Sequence, residues 1–205
     1  NHIITAYATD SAGNVSNISD NYRVRIDITK PNAPALTGIS TDSGVSSSDE
    51  ITMDQTLLIS GTAEAYSQIE LFNGASSIGN VNTNGSGNWT YDYTATSLAG
   101  GTYTFTATAM DSAGNTSSTS SGMTVVVDTT APKPVSISAT NSDDEYNEGS
   151  TITITVEFAE TVLVTGTPKL ELETGTNNAI ATYSGASNSK VLSFTYKVAY
   201  QNTSA

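Results

Sequence analysis

Nearly all the residues able to do chemistry in this chain are hard oxygen donors. Asp and Glu number 20 against 7 Lys and Arg, with one His at position 2 and no Cys, for a net charge of -13. That inventory leaves no thiolate metal site, no disulfide framework and no Ser/His/Asp or Cys/His triad. A carboxylate pair of the glycosidase kind remains formally open. The acidic residues, however, fall in turns rather than around an evident cleft, and the glycine-rich runs open no phosphate-binding helix. No enzymatic role is expected. The acidic surface repels nucleic acid and anionic membranes, and no apolar run reaches the roughly 18 residues of a membrane span. It suits divalent cations. Calcium takes roughly six to eight oxygens from carboxylates, carbonyls, amides and water, and short turns of Asp, Ser, Gly and Asn supply them.

The most telling of these turns occurs twice. Asp10-Ser-Ala-Gly-Asn14 and Asp111-Ser-Ala-Gly-Asn115 lie in two stretches that align without a gap over residues 1–31 and 102–132, offset by 101, with 14 identical positions. Asp27 and Asp128 follow their turns at the same spacing of 17 residues. A repeat of this length means tandem domains of about a hundred residues, enough for one sandwich core each. The copies differ at Arg23, Arg25 and Lys30, where the second copy has Thr124, Val126 and Ala131. Packing at the first joint therefore need not match that at the second.

The elements that must position these turns are strands. Strict alternation and turn-rich spacers predict strands at 35–40, 56–61, 68–72, 77–81, 88–94, 102–109 and 123–127, with no helical period anywhere. The inward set is Leu57, Ile59, Ile69, Leu71, Trp89, Tyr91, Tyr93, Tyr103, Phe105, Ala107, Val125 and Val127. Trp89 belongs to this core rather than to a sugar platform. Seven short strands argue an immunoglobulin-like β-sandwich, with Tyr103 placed for a tyrosine corner. Residues 1–29 read as the last strands of a truncated domain. Residues 30–128 read as one complete domain entered through a stiff Pro-containing linker. Residues 129–205 read as a third, C-terminally incomplete domain of another subtype, with strands at 151–158, 169–173, 179–183 and 191–198. The chain opens in mid-pattern at Asn1, as a piece of something longer would.

In such a sandwich the entering linker, the loop after the second strand and the last hairpin share one pole. That brings Asp27, Glu64, Asp111 and Asn115 together as candidate metal ligands. The same logic pairs Asp128 with Glu160 at the next junction, with a third partner expected beyond Ala205. Asp42 and Asp49 form a further acidic loop at the opposite pole, with its counterpart at 141–148. Each Asp or Asn taken singly could serve only to cap its turn. Converging carboxylates repel one another unless a cation lies between them, and calcium is the expected cofactor.

These residues carry a family resemblance. Residues 101–115 followed by Val127-Asp-Thr-Thr-Ala-Pro132, with the Asp42–Asp49 loop and Ile59-Ser-Gly-Thr-Ala-Glu64, resemble the bacterial immunoglobulin-like tandem repeats of large secreted adhesins of the repeats-in-toxin and biofilm-associated type. Residues 133–205 resemble a related module through Gly166-Thr-Pro-Lys-Leu170 and Tyr183-Ser-Gly185. The resemblance implies type I secretion to the bacterial cell surface, neighbouring domains of the same chain as the main partners, and calcium that stiffens the junctions. It implies an extender supporting cell adhesion or biofilm formation, with host or biofilm ligands bound by other domains. Two alternatives stay open: a glycan- or protein-binding module, and a subunit of an extracellular filament or sheath.

Overall fold

The structure is a computed structural model that describes residues 1–174 and 178–199. It is all-β, and it divides into two compact units, residues 1–129 and 130–205. Among the described residues fifteen strands follow in order: β1 (His2–Ile4), β2 (Tyr22–Val24), β3 (Ala35–Ser40), β4 (Ile51–Thr52), β5 (Leu58–Thr62), β6 (Gln68–Asn73), β7 (Ser76–Asn82), β8 (Asn88–Asp92), β9 (Gly101–Met110), β10 (Met123–Val127), β11 (Pro134–Ala139), β12 (Thr151–Val162), β13 (Lys169–Leu172), β14 (Ala179–Tyr183) and β15 (Ser189–Lys197).

In the first unit, a five-stranded sheet of order β4-β10-β9-β6-β7 faces a three-stranded sheet of order β3-β5-β8. Alternation decides what lies between them. Leu57, Ile59 and Trp89 of the smaller sheet meet Ile69, Leu71, Phe105, Ala107, Ala109, Val125 and Val127 of the larger one, all buried. Tyr91, Tyr93 and Tyr103, expected inside, are only partly buried and pack at the rim of this core. Their hydroxyls need a polar outlet. The Tyr103 hydroxyl donates to the Ala99 carbonyl at 2.9 Å, the geometry of a tyrosine corner. Leu98 is buried from the preceding turn, where periodicity offers no guide.

Two features escaped the strand pattern. β4 is two residues long and pairs in parallel with the end of β10, Ile51 with Val126 and Thr52 with Val127. No alternation can be read from so short an element. The polar loop after Asp111 is not free either. Ala109 and Ala107 donate their amides to Ser117 Oγ and Ser120 Oγ at 2.9 Å each. Ser117 and Ser120 return their own amides to the carbonyls of Ala109 and Ala107 at 2.8 Å. Each serine hydroxyl thus takes the place of a strand carbonyl, and the loop runs along β9 as an irregular extension of β10.

Gly61 shows how tightly the two sheets meet. A Cβ there would lie 2.2 Å from Trp89 Cζ2 and 2.3 Å from the Ala35 carbonyl oxygen. Neither a ring edge locked in a core nor a strand backbone can give way cheaply. Gly61→Ala is expected to destabilise the first unit by about 1–3 kcal/mol through overpacking, measured by urea denaturation followed at the single tryptophan.

Residues 1–29 repeat the β9–β10 hairpin. β1 pairs with β2, Thr9 bridges Val15 as Met110 bridges Thr116, and Ser16 and Ser19 accept from Ala8 and Ala6 at 2.9 Å as Ser117 and Ser120 do from their alanines. Among the described residues no sheet lies across this hairpin's apolar face. Ile4 is 55% exposed where its counterpart Phe105 is 0%.

The second unit is one antiparallel sheet of order β11-β12-β15-β14-β13. Ile154, Val156, Ala181, Leu192, Phe194 and Tyr196 share its buried face, and Tyr183 meets Phe194 edge-on at 5.7 Å. β11 is exposed along its whole length. The start of the last hairpin, expected only at Ala205, falls outside the described residues.

Candidate functional site

The Asp111 turn is built by its own side chains. Asp111 Oδ1 accepts the amides of Ala113 and Asn115 at 2.8 Å each. Asn115 Nδ2 donates to Asp111 Oδ2 at 2.8 Å. Gly114 closes the turn at φ +90°, a conformation that favours glycine. The Asp10 turn reproduces these bonds with Ala12 and Asn14 at 2.9 Å, 2.9 Å and 2.8 Å. Donors crowded on one carboxylate favour its ionised form. The Asn115 side chain, and then the Asn115 and Ala113 amides, hold the Asp111 carboxyl below its ordinary value. Asn14 does the same for Asp10.

A carboxyl lowered in the native state supplies stability above its unfolded value and loses it as pH falls through the native one. The stability that these two carboxyls supply should therefore be lost as pH drops from about 3.8, the ordinary value, toward the lowered native values. In Asp111→Asn the circular-dichroism midpoint should depend less steeply on pH across that window.

The two turns differ in what they meet. The Asp10 turn is exposed. At the second turn, Asn115 Nδ2 also donates to the Asp27 backbone carbonyl at 3.2 Å, across 88 residues of sequence. This contact ties the end of the first hairpin to the head of the complete domain, and both Asp27 and Asp111 are half-buried. Asp27, Glu64 and Asp111 line one open depression of about 440 Å³ together with Arg25, Tyr66 and Ser112. The structure thus brings together the residues that the sandwich topology assigns to this pole.

Glu64 is held from below by a buried pair of hydroxyls that the sequence did not single out. Ser67 Oγ and Thr83 Oγ1 both donate to the Glu64 carbonyl at 2.7 Å, and the Ser67 amide donates to Thr83 Oγ1 at 2.9 Å. Ser67 and Thr83 are buried polar residues whose hydrogen bonds close on this loop. The main chain at Glu64 is therefore fixed, while its exposed carboxylate makes no hydrogen bond or ion pair with the described residues. The adjacent Tyr66 sits at φ 62°, an uncommon conformation for an aromatic residue.

The donor set suits a hard cation, because the acidic and hydroxyl side chains at the depression all offer oxygen. Among the described residues no three or more His, Cys, Asp or Glu side chains are grouped closely enough to hold a metal by themselves. A cation here would need the free Glu64 carboxylate to turn inward and would complete its shell with water and backbone carbonyls.

The other candidate residues fall elsewhere. Asp42 and Asp49 occupy the loop between β3 and β4. Asp42 Oδ2 accepts the amides of Asp49 and Glu50 at 3.0 Å and 3.1 Å, and Asp49 Oδ1 accepts from Ile51 at 3.2 Å. Asp42 Oδ1 is buried with no hydrogen-bond partner, so this loop too keeps an oxygen that a hard cation could use. Asp128 directly follows β10, its amide donating to the Thr52 carbonyl at 2.8 Å. Glu160 lies on β12 of the second unit.

Residues 30–129 match the family described as bacterial Ig-like domain. Two solved structures align with most of the chain's length. One is described as a tetra-tandem repeat in the extending region of a large adhesion protein, at 19% identity and TM-score 0.38, covering 97% of this chain and 48% of that one. The other is described as giving insight into host cell surface retention of a 1.5-MDa bacterial ice-binding adhesin, at 18% identity and TM-score 0.42, covering 93% of this chain and 61% of that one. The chain thus spans between about half and three-fifths of those two chains. No curated protein sequence matches it significantly. Among the described residues no helix is long and apolar enough to cross a membrane.

Proposed function

We propose that this chain is an extender segment of a bacterial cell-surface adhesin, in which calcium stiffens the joints between successive Ig-like domains. The observation that carries this reading is the meeting of Asp27, from the preceding hairpin, with Glu64 and Asp111, from the following domain, at one depression. The joint itself is already bonded through Asn115 and the Asp27 carbonyl. Without a counter-ion, these carboxylates repel one another and push the joint open. With a divalent cation between them, the repulsion becomes attraction, and a jointed string becomes a rod. The repeated turn gives the same reading a structural basis, since one hydrogen-bonded unit can be copied along a tandem array.

The protein would act outside the cell, its partners being its own neighbouring domains, and it would carry an adhesive or biofilm-forming tip away from the surface. Small-angle scattering of the chain in calcium and in chelator tests this. A larger radius of gyration in calcium is expected, and an unchanged profile would remove the calcium-stiffened rod.

A further inference from the structure

The depression holds a cationic side chain of its own. We infer that Arg25 is a resident counter-charge at this joint, and that the residue at position 25 sets how strongly the joint depends on a divalent cation. The inference rests on the calcium reading above and specifies its regulation.

Arg25 and Asp27 lie two residues apart just beyond the end of β2. Arg25 Nη2 lies 3.6 Å from Asp27 Oδ2, and Arg25 lines the depression with Glu64 and Asp111. The guanidinium is 80% exposed, so this ion pair adds little to folding. Its effect on a second cation is another matter. A fixed positive charge within a Debye length of the depression offsets part of the carboxylate field and repels an arriving divalent ion. In the second copy of the repeat the equivalent residue is Val126, which sits in the sheet paired with Thr102 and Ile51. Of the three cationic positions that the second copy replaces with uncharged residues, Arg25 is the one that pairs with Asp27 and lines the depression. Arg25 partly neutralises Asp27, Glu64 and Asp111 in the absence of metal, and it weakens the hold on a metal when one is present.

Calorimetric titration of calcium into the intact chain tests this with Arg25→Val, which installs the residue of the second copy, and with Arg25→Lys, which keeps the charge. Because Arg25 is exposed, both variants should fold. Arg25→Val should bind calcium roughly threefold to tenfold more tightly than wild type at low salt, a gap that narrows as salt screens the charge, while Arg25→Lys stays near wild type. If wild type binds calcium and loses it in Asp27→Asn, yet Arg25→Val binds no more tightly, the role of Arg25 is overturned and the calcium site stands. If neither wild type nor Arg25→Val binds calcium, the calcium reading falls and this inference with it.

Discussion

Phe105→Ala should cost the first unit about 3–5 kcal/mol, the range for emptying a large aromatic site in a closed core. Phe105 has no exposed surface, stands between the two sheets on β9, and meets Tyr93 edge-on at 6.2 Å. Its own strand is paired on both sides, with Met123 of β10 and Asn73 of β6, which limits collapse of the backbone into the cavity. A domain of this size holds about 5–15 kcal/mol in all, so the loss is a large share of the total. Denaturant unfolding is the measurement. The second unit has a separate core, so its transition should stay in place while that of the first moves. Ile4→Ala supplies the contrast: the same repeat position, 55% exposed, should shift stability by no more than about 0.5 kcal/mol.

Calcium should raise the stability of the first unit by about 2.7 kcal/mol when present at a hundredfold excess over its dissociation constant, since a ligand that binds only the native state stabilises by mass action. The shift should shrink in Asp111→Asn. That substitution keeps an oxygen acceptor for the Ala113 and Asn115 amides but removes a negative charge from the depression and the oxygen that accepts from Asn115 Nδ2. Thermal unfolding of both proteins, each in calcium and in chelator, makes the comparison. Equal shifts in the two would show that any bound calcium does not involve Asp111.

What could be read from the sequence was whatever repeats with a fixed period. Leu57 with Ile59, Ile69 with Leu71, and Val125 with Val127 announce the core because strand geometry sends every second side chain the same way. β4 and Leu98 were hidden because a two-residue strand and a turn have no period. β11 breaks this rule: Val135, Ile137 and Ala139 alternate, yet the sequence reading assigns no strand there. The serine-lined extension of β9 was hidden for a chemical reason: Ser117 and Ser120 replace backbone acceptors with hydroxyls, which polarity alone reads as an ordinary loop.

At the candidate site, the placement of Asp27, Glu64 and Asp111 around one pole follows from strand order, which the core pattern already implies. The hydroxyls of Ser67 and Thr83 beneath Glu64 do not follow. They are two small polar residues, 16 positions apart, whose role exists only once the loop has closed. Arg25 stood out as a difference between the two repeats. Its approach to Asp27 depends on a side-chain path that no spacing rule gives.

The central claim is that the carboxylates at the head of the complete domain hold a divalent cation that fastens it to the preceding hairpin. Calorimetric titration of calcium into the intact chain, beside Asp27→Asn with Glu64→Gln, tests it most directly. These two residues come from opposite sides of the joint and neither builds the Asp111 turn, so the fold should survive their neutralisation. The account predicts that wild type shows a calcium-binding event that the double variant loses. Identical titrations for the two proteins would contradict it.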